Sequence, residues 1–183
     1  MNRSGIQLKG NKKLAIIVVA AIVILVLGFQ FLNQTGPFKF LASSTSDGPD
    51  NSEQVHVERV VDGDTFIARD DSNERIKVRL IGIDTPETVK PNTPVQPYGK
   101  EASKYTKSNL TDKDVFLEYD KEKEDRYGRR LAYVWLDKET LYNEQLVKEG
   151  LAREKYFAPN GKYRSVFKQA EQQAKSEHKN IWS

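Results

Sequence analysis

A long uncharged apolar segment near the N-terminus constrains this chain more than any other feature of the sequence. Residues 14–29 read LAIIVVAAIVILVLGF, and no charged residue follows before Lys39. As an α-helix rising about 1.5 Å per residue, residues 14–32 reach roughly the 30 Å thickness of the hydrocarbon core of a bilayer. The segment therefore predicts a transmembrane anchor over residues 14–32, so that any globular domain is built from the residues after it.

The residues on either side of the anchor predict its orientation. The basic side chains of residues 1–13 are Arg3, Lys9, Lys12 and Lys13. A basic flank stays in the cytoplasm, so we expect a single-pass cell-membrane protein with an extracellular domain. The alternative is secretion after cleavage of a signal peptide. Such a peptide has an apolar region of about 7–15 residues and a small-x-small cleavage site, which residues 40–43, FLAS, match poorly.

A polar segment separates the anchor from the folded domain. Residues 43–54, SSTSDGPDNSEQ, are poor in apolar side chains, which predicts a flexible linker over residues 33–54 and a domain over residues 55–183. From residue 54 onward the chain holds 24 basic and 23 acidic side chains. Net charge therefore gives no evidence for a polyanionic partner. The absence of cysteine excludes disulfides, thiolate metal sites and a cysteine nucleophile.

Five short segments have the apolar patterning that is typical of β-strands. Ile76, Val78 and Leu80 alternate with Lys77 and Arg79, which is the period of two of a half-buried strand. The charged residues 121–130, KEKEDRYGRR, are expected to form a hairpin loop, and the proline-rich residues 87–99 a surface connection. The predicted strands cover residues 55–61, 65–69, 76–80, 115–119 and 131–135.

Three helices complete the predicted domain. Residues 98–110 and 141–149 have helical character, and Gly150 is a typical C-terminal stop. The last helix carries apolar residues at helical spacing: Tyr163, Val166, Phe167, Ala170 and Ala174. A sheet of five short strands is best completed by closing into a barrel, because closure leaves no exposed edge strand. The predicted fold is therefore α+β, mainly a five-stranded β-barrel, with three helices.

Acidic residues beside two of the predicted strands form a candidate site. VVDGDTF, residues 60–66, contains Asp62 and Asp64, and RLIGIDTPE, residues 79–87, ends in Asp84-Thr85-Pro86-Glu87. Hard cations such as Ca²⁺ take carboxylate and carbonyl oxygens, so Asp64, Asp84 and the Thr85 carbonyl are candidate ligands. Each short motif is also typical of a turn, so a purely structural role stays open for each residue taken singly.

Two arginines extend this candidate site. Arg79 stands in an apolar strand and needs an anionic partner, whereas Arg129 lies in a basic segment that is also consistent with a solvated hairpin. Phosphodiester hydrolysis requires a metal that neutralises the non-bridging oxygens and cationic side chains that bind the charge that develops at phosphorus. It also requires a carboxylate that positions or deprotonates the attacking water, and Glu87 can supply this group. Glycoside hydrolysis uses a pair of carboxylates and would give neither arginine a catalytic role. His56 and His178 are the only histidines, so histidine-dependent chemistry has little material.

Six segments of the sequence together resemble the staphylococcal (thermostable) nuclease family. In the order of the family they are VVDGDTF, VRLIGIDTPET, YGKEAS, DRYGRRLAYVW, NEQLVKEGLA and EQQAKSEHKNIWS, and the resemblance covers essentially the whole domain, residues 55–183. The resemblance implies an OB-type five-stranded barrel with three helices. It also implies a Ca²⁺-dependent nuclease that cleaves DNA and RNA with little sequence preference and leaves 3′-phosphate ends. We expect the chain to act as a monomer.

The resemblance also implies roles for individual residues. Asp64, Asp84 and the Thr85 carbonyl match the calcium ligands, and Glu87 matches the glutamate that activates water. Arg79 and Arg129 match the two phosphate-binding arginines.

Further positions match residues around that centre. Arg126, Tyr127 and Tyr156 fall where the family contacts the nucleotide. Asp62 matches an acid near the metal that is not a direct ligand. One position departs from the family, because Ala158 stands where a second tyrosine is usual.

The alternative function is a membrane-tethered OB-fold module that binds nucleic acid without cutting it. Related barrels that serve as binding modules lack the catalytic residues. Here all five essential positions are filled, by Asp64, Arg79, Asp84, Glu87 and Arg129. The sequence therefore favours an enzyme.

Overall fold

The computed structural model describes residues 48–88 and 94–183. The predicted cytoplasmic segment, residues 1–13, the predicted anchor, residues 14–32, and most of the predicted linker lie outside these residues. Among the helices of the described part, none combines the length and the apolar character that crossing a membrane requires.

Seven strands are present in the described residues, and five of them close into a barrel in the order β1-β2-β3-β6-β5. Neighbouring barrel strands run antiparallel except β3 and β6, which are parallel. The strands are β1 (Glu53–Asp62), β2 (Thr65–Arg69), β3 (Arg75–Leu80), β4 (Ile83–Asp84), β5 (Asp114–Glu124), β6 (Arg130–Trp135) and β7 (Arg153–Glu154). The predicted five-stranded barrel is thus confirmed.

The core of the barrel is built from the apolar side chains that alternate with polar ones along the strands. Val57, Phe66, Val78, Leu117 and Val134 are fully buried, and burial of each large apolar side chain contributes about 1.5–3 kcal/mol. In β3 the polar neighbours of Val78 lie on the opposite face of the sheet, because successive side chains of a strand alternate in direction. The barrel therefore directs polar side chains of β3 toward a functional surface.

Within residues 48–88 and 94–183, three α-helices and one short 3₁₀-helix pack around the barrel. They are α1 (Gly99–Leu110), α2 (Tyr142–Lys148), α3 (Arg164–Ser176) and the 3₁₀-helix Asn180–Trp182. The hydroxyl of Thr106 in α1 donates to the Gly63 carbonyl at 2.7 Å, and the Tyr142 hydroxyl donates to Thr106 at 3.0 Å. These bonds hold α1 against the β1–β2 turn.

Two sequence-based expectations differ from the structure. Strand β5 continues to Glu124 instead of ending near Tyr119, so the charged residues 121–124 belong to a strand and only residues 125–129 form the hairpin turn. The alternating charges of this segment fit the exposed end of a long strand. The pairing of β4 with β7 is the second difference, because strands of two residues carry no detectable sequence period.

Candidate active site

The turn between β1 and β2 places the Asp64 carboxylate beside Thr85. A Cβ atom at Gly63 would lie 2.7 Å from Thr85 Oγ1, so only glycine permits this close approach. Asp64 Oδ2 accepts hydrogen bonds from the backbone N–H and the hydroxyl of Thr85, at 3.1 and 3.0 Å. Asp64 Oδ1 accepts from the Thr65 hydroxyl at 3.0 Å. The buried Asp64 side chain therefore has a fixed orientation.

Arg79 lies between Asp64 and Asp84. Its Nη2 donates to Asp84 Oδ1 at 2.9 Å, and its Nη1 forms an ion pair with Asp64 Oδ2 that lacks the directional geometry of a hydrogen bond. Only 13% of the Arg79 side chain is exposed. Asp64 and Asp84 are thus the anionic partners that Arg79 requires, and its single positive charge offsets part of their combined negative charge.

A second cation contacts Asp84 from the opposite side. Lys155 Nζ lies 2.9 Å from Asp84 Oδ2. Pairing of β4 with β7 places Lys155 there, since Asp84 is the register partner of Arg153 and the Lys155 backbone N–H donates to the Gly82 carbonyl. Both oxygens of Asp84 therefore have cationic partners.

Asp62 positions the segment that carries Glu87. Its Oδ1 accepts from the Thr88 hydroxyl at 2.5 Å and its Oδ2 from the Thr88 backbone N–H at 3.4 Å. Glu87 and Gln96 exchange two further bonds, since the Glu87 N–H donates to Gln96 Oε1 and the Gln96 N–H donates to the Glu87 carbonyl. These contacts fix the backbone at Glu87.

Asp125 holds Arg129 at the β5–β6 turn. Asp125 Oδ2 accepts from Arg129 Nε at 2.7 Å, and Oδ1 accepts from the Arg129 backbone N–H at 3.0 Å. Burial alone would raise the pKa of Asp125, but hydrogen bonds from Arg129 and from the Tyr127 N–H outweigh it and lower that pKa. Arg129 therefore keeps its direction while part of its guanidinium faces the cavity.

These residues surround one polar cavity of about 250 Å³. The parallel pairing of β3 with β6 brings Arg129 to it, because Arg130 is the register partner of Val78 beside Arg79. The candidate residues that line the cavity are Asp62, Asp64, Arg79, Asp84, Thr85, Glu87 and Arg129. The structure thus brings together every residue proposed for the chemical centre.

The candidate nucleotide-contacting residues lie outside this cavity. Tyr127 is 68% exposed, and its hydroxyl accepts from Arg126 Nη2 at 2.6 Å. Tyr156 lines a separate cavity of about 530 Å³, where the Arg164 guanidinium lies 4.4 Å from its ring centroid. Next to Ala158, the Phe157 ring is 52% exposed, with Lys155 Nζ 5.4 Å from its centroid. An exposed aromatic ring is therefore present beside Ala158, the position that differs from the usual tyrosine of the family.

The oxygen atoms of the cavity match the donor chemistry of a hard divalent cation. Asp64 and Asp84 are carboxylates of the kind that Ca²⁺ prefers, and Arg79 supplies positive charge between them. In residues 48–88 and 94–183, no group of three or more His, Cys, Asp and Glu side chains is arranged as a metal cluster. A cation held by Asp64 and Asp84 would therefore take further oxygens from the backbone or water.

Two basic residues of the site escaped the sequence-based reasoning. Lys77 lines the cavity, and its position two residues before Arg79 in β3 was the signal that could have found it. Lys155 had no such signal, because its contact with Asp84 joins residues that lie 71 positions apart in sequence.

Comparison with known proteins places the chain in a family. The model of the staphylococcal nuclease homologue family matches residues 77–183. A thermonuclease of Staphylococcus hyicus is 56% identical over 168 residues, which cover 92% of this chain and 95% of that protein. A thermonuclease of Staphylococcus intermedius is 54% identical over 166 residues, covering 91% and 95%.

A more distant relative shows the same similarity within a longer protein. The SPbeta prophage-derived endonuclease YokF of Bacillus subtilis (strain 168) is 50% identical over 131 residues, which cover 70% of this chain and 44% of YokF. The barrel, the composition of its polar cavity and these similarities agree. The chain belongs to the staphylococcal nuclease family.

Proposed function

We propose that residues 55–183 form an extracytoplasmic, Ca²⁺-dependent endonuclease that hydrolyses DNA and RNA without sugar specificity and leaves 3′-phosphate ends. The chain is a nuclease, a hydrolase of phosphodiester bonds, as its family membership and its relatives indicate. The observation that carries the finer proposal is the convergence of Arg79, Glu87 and Arg129 on one cavity with Asp64 and Asp84.

The two carboxylates of the cavity are the proposed holders of the metal. Asp64 and Asp84 would bind Ca²⁺ together with the Thr85 carbonyl, and Asp62 would act indirectly by orienting the segment around Glu87. Held there, Ca²⁺ would supply positive charge that offsets the aspartates and the charge of the phosphate. Arg79 is paired with both aspartates in the structure, and its charge would be available to the substrate once those carboxylates held a cation.

The side chains of this chain divide the hydrolysis of a phosphodiester among them. Arg79 and Arg129 bind the non-bridging oxygens and stabilise the charge that grows on them in the transition state. Glu87 accepts a proton from the attacking water. The water oxygen bonds to phosphorus, the bond from phosphorus to the 5′ oxygen breaks, and that oxygen takes a proton from solvent. The products are a 3′-phosphate and a 5′-hydroxyl.

The nucleotide-contacting residues are proposed to hold the substrate on either side of that bond. Arg126 offers a cation to a phosphate, and Tyr127 and Tyr156 offer exposed rings to bases. Stacking of a base on an aromatic ring contributes about 1–3 kcal/mol and tolerates any sequence. Such contacts support the proposed lack of sequence preference.

The test of the proposed activity is digestion of plasmid and single-stranded DNA and of RNA by the purified full-length chain. We expect cleavage with Ca²⁺ and none with a chelator. Glu87→Gln should slow cleavage about 10²–10⁴-fold, the usual contribution of a general base, whereas Glu139→Gln, an exposed change elsewhere, should not. Chelator-insensitive cleavage would contradict the calcium dependence. Binding without any cleavage would support the non-catalytic module instead.

The location of the domain is a separate proposal. We propose that residues 14–32 retain the protein in the cell membrane with residues 1–13 in the cytoplasm. The support is the uncharged apolar run and its basic flank. Cell fractionation with mass measurement tests it: we expect the intact chain in the membrane fraction. A shortened chain in the medium would show cleavage and secretion.

A further inference from the structure

The outer face of α1 carries three lysines. Lys100, Lys104 and Lys107 follow one another at intervals of four and three residues, so they lie on the same side of the helix. All three are exposed. Among the ion pairs of the described residues none includes them. Their charges are therefore available to a ligand.

These lysines border a groove, which we call the lysine groove, of about 360 Å³. It is lined by Val61, Thr88, Lys100, Ser103, Lys104 and Lys107. Its chemistry is that of an open, cationic channel with a hydroxyl at each of Thr88 and Ser103. The three ammonium groups at its edge give the groove a positive charge that matches an anion, while its lining also includes the apolar side chain of Val61.

The lysine groove lies beside the active-site cavity. Val61 lines both spaces. Thr88, which lines the groove, donates its hydroxyl hydrogen to Asp62, which lines the cavity. Helix α1 is fixed to the same turn by the bond from Thr106 to the Gly63 carbonyl. The lysines are thus held at a set position relative to the site of cleavage.

We propose that the lysine groove binds the phosphates of a nucleic-acid strand on one side of the bond that is cut. This inference rests on the proposed nuclease function and adds a binding site to it. From Lys100 to Lys107 the helix rises about 10 Å, a length covered by about three stacked nucleotides of one strand. The occupant is a polynucleotide backbone, read by charge and not by base.

Charge balance in the rest of the domain supports this assignment. From residue 54 onward, basic and acidic side chains are nearly equal in number, and several of the basic ones, such as Arg69, Arg75 and Lys148, form ion pairs. Three adjacent unpaired lysines on one face therefore make a local positive potential that overall charge conceals. A long substrate would gain from that potential, whereas a dinucleotide, which fills only the active-site cavity, would not.

The test compares two triple variants of the full-length chain that change net charge equally. One removes the lysine groove by Lys100→Gln, Lys104→Gln and Lys107→Gln. The matched control is Lys113→Gln, Lys138→Gln and Lys168→Gln, which are exposed lysines elsewhere without ion pairs. Binding of a single-stranded oligonucleotide of about 20 nucleotides is measured by fluorescence anisotropy, in chelator, over a range of salt concentrations.

We expect the groove variant to bind the oligonucleotide about 10-fold more weakly than the parent at low salt. The slope of log Kd against log salt should also be smaller by about 2, because each lost phosphate contact lowers this slope by about 0.7. The control variant should keep the parental slope. Equal losses in both variants, or no loss in either, would overturn the proposal.

A cleavage measurement separates this proposal from the proposed function. With Ca²⁺, the ratio of kcat/KM for the oligonucleotide to that for a dinucleotide should fall about 10-fold in the groove variant and stay parental in the control. If the parent cuts neither substrate, the nuclease proposal fails. The salt dependence of oligonucleotide binding would still show whether the lysine groove binds phosphates.

Discussion

Asp125 fixes both the backbone and the side chain of Arg129. One carboxylate oxygen accepts from the N–H groups of Tyr127 and Arg129, and the other accepts from Arg129 Nε. A hairpin turn of five residues would otherwise leave the arginine many rotamers. The contacts within the turn therefore order the Arg129 side chain before any substrate binds, so that substrate binding loses less side-chain conformational entropy.

Replacing Asp125 by asparagine separates these two tasks. Asp125→Asn keeps an oxygen for the two N–H groups but removes the charge that holds Arg129. We expect kcat/KM on single-stranded DNA to fall about 10-fold, since a hydrogen bond to a charged group contributes about 1.5–3 kcal/mol. Asp137→Asn is the control, because Asp137 also accepts backbone N–H bonds in a turn but lies away from the site. Parental activity of Asp125→Asn would refute this role.

Asp120 gives the domain a dependence of stability on pH. Burial would raise the pKa of Asp120, but bonds from the Lys162 N–H, the Tyr133 hydroxyl and the Gly161 N–H outweigh it and lower that pKa. A lowered pKa means that the folded state favours the carboxylate. The resulting stability is present above the ordinary aspartate pKa of 3.8 and is lost as the pH falls toward the lowered value.

We therefore expect the free energy of unfolding to decrease as the pH falls below about 4. In Asp120→Asn the domain should be less stable at neutral pH, and its stability should change less across the acid range. Urea unfolding between about pH 3 and pH 7 measures both. An unchanged pH slope in the variant would show that other carboxylates determine the acid response.

At the scale of elements, the short β4–β7 pair determines the composition of the site. It connects the end of the barrel strand β3 with the segment before α3, and so brings Lys155 to Asp84. Gly82 makes this connection possible. It has φ +77, and a Cβ there would lie 2.5 Å from the Phe167 ring. Its carbonyl also accepts the Lys155 N–H.

Gly82→Ala should consequently destabilise the domain by about 2–4 kcal/mol, the sum of left-handed backbone strain and overpacking. Gly128→Ala is a matched comparison, because Gly128 has φ +71 but nothing within 4 Å of an added Cβ. It should lose only about 1 kcal/mol. Denaturant unfolding of both variants tests the difference, and equal losses would mean that contact with Phe167 contributes nothing.

At the scale of the whole molecule, metal binding and folding are linked if the proposed site is correct. Asp64 lies on the β1–β2 turn and Asp84 on β4, so a cation that binds both joins two separate parts of the chain. A ligand that binds only the folded state raises the free energy of unfolding, by about 2.7 kcal/mol at a concentration of 100 Kd. This effect requires no catalysis.

We expect the thermal midpoint of the full-length chain to rise with Ca²⁺ concentration and the rise to disappear in Asp64→Asn. Asp71→Asn, in an exposed turn, should respond to Ca²⁺ as the parent does. Scanning calorimetry with and without Ca²⁺ measures the shift. A midpoint of the parent that is insensitive to Ca²⁺ would contradict the proposed ligands.

Much of the fold could be predicted because it follows from local pattern. Ile76, Val78 and Leu80 alternate with polar residues, and all three are buried in β3. The extension of β5 to Glu124 could not be predicted in this way, since its charged residues are stabilised by pairing with β6 at Arg130 and not by burial. Local pattern detects strands through their buried faces and misses their exposed ends.

The candidate site was predictable to a similar degree. The order of its acids and arginines along the chain was visible in VVDGDTF, RLIGIDTPE and DRYGRR, and resemblance to the family supplied their proposed roles. The sequence by itself therefore determined which barrel forms and which polar residues stand at its strand ends, because alternation and turn chemistry are local properties.

The tertiary structure alone decided which of these residues meet and what else joins them. Arg79 lies between Asp64 and Asp84, Lys155 contacts the other oxygen of Asp84, and the lysine groove lies beside the same cavity. The contacts of Arg79 with Asp64 and of Lys155 with Asp84 join residues that are distant in sequence. Their proximity depends on how strands pair and helices pack, and no local pattern encodes that.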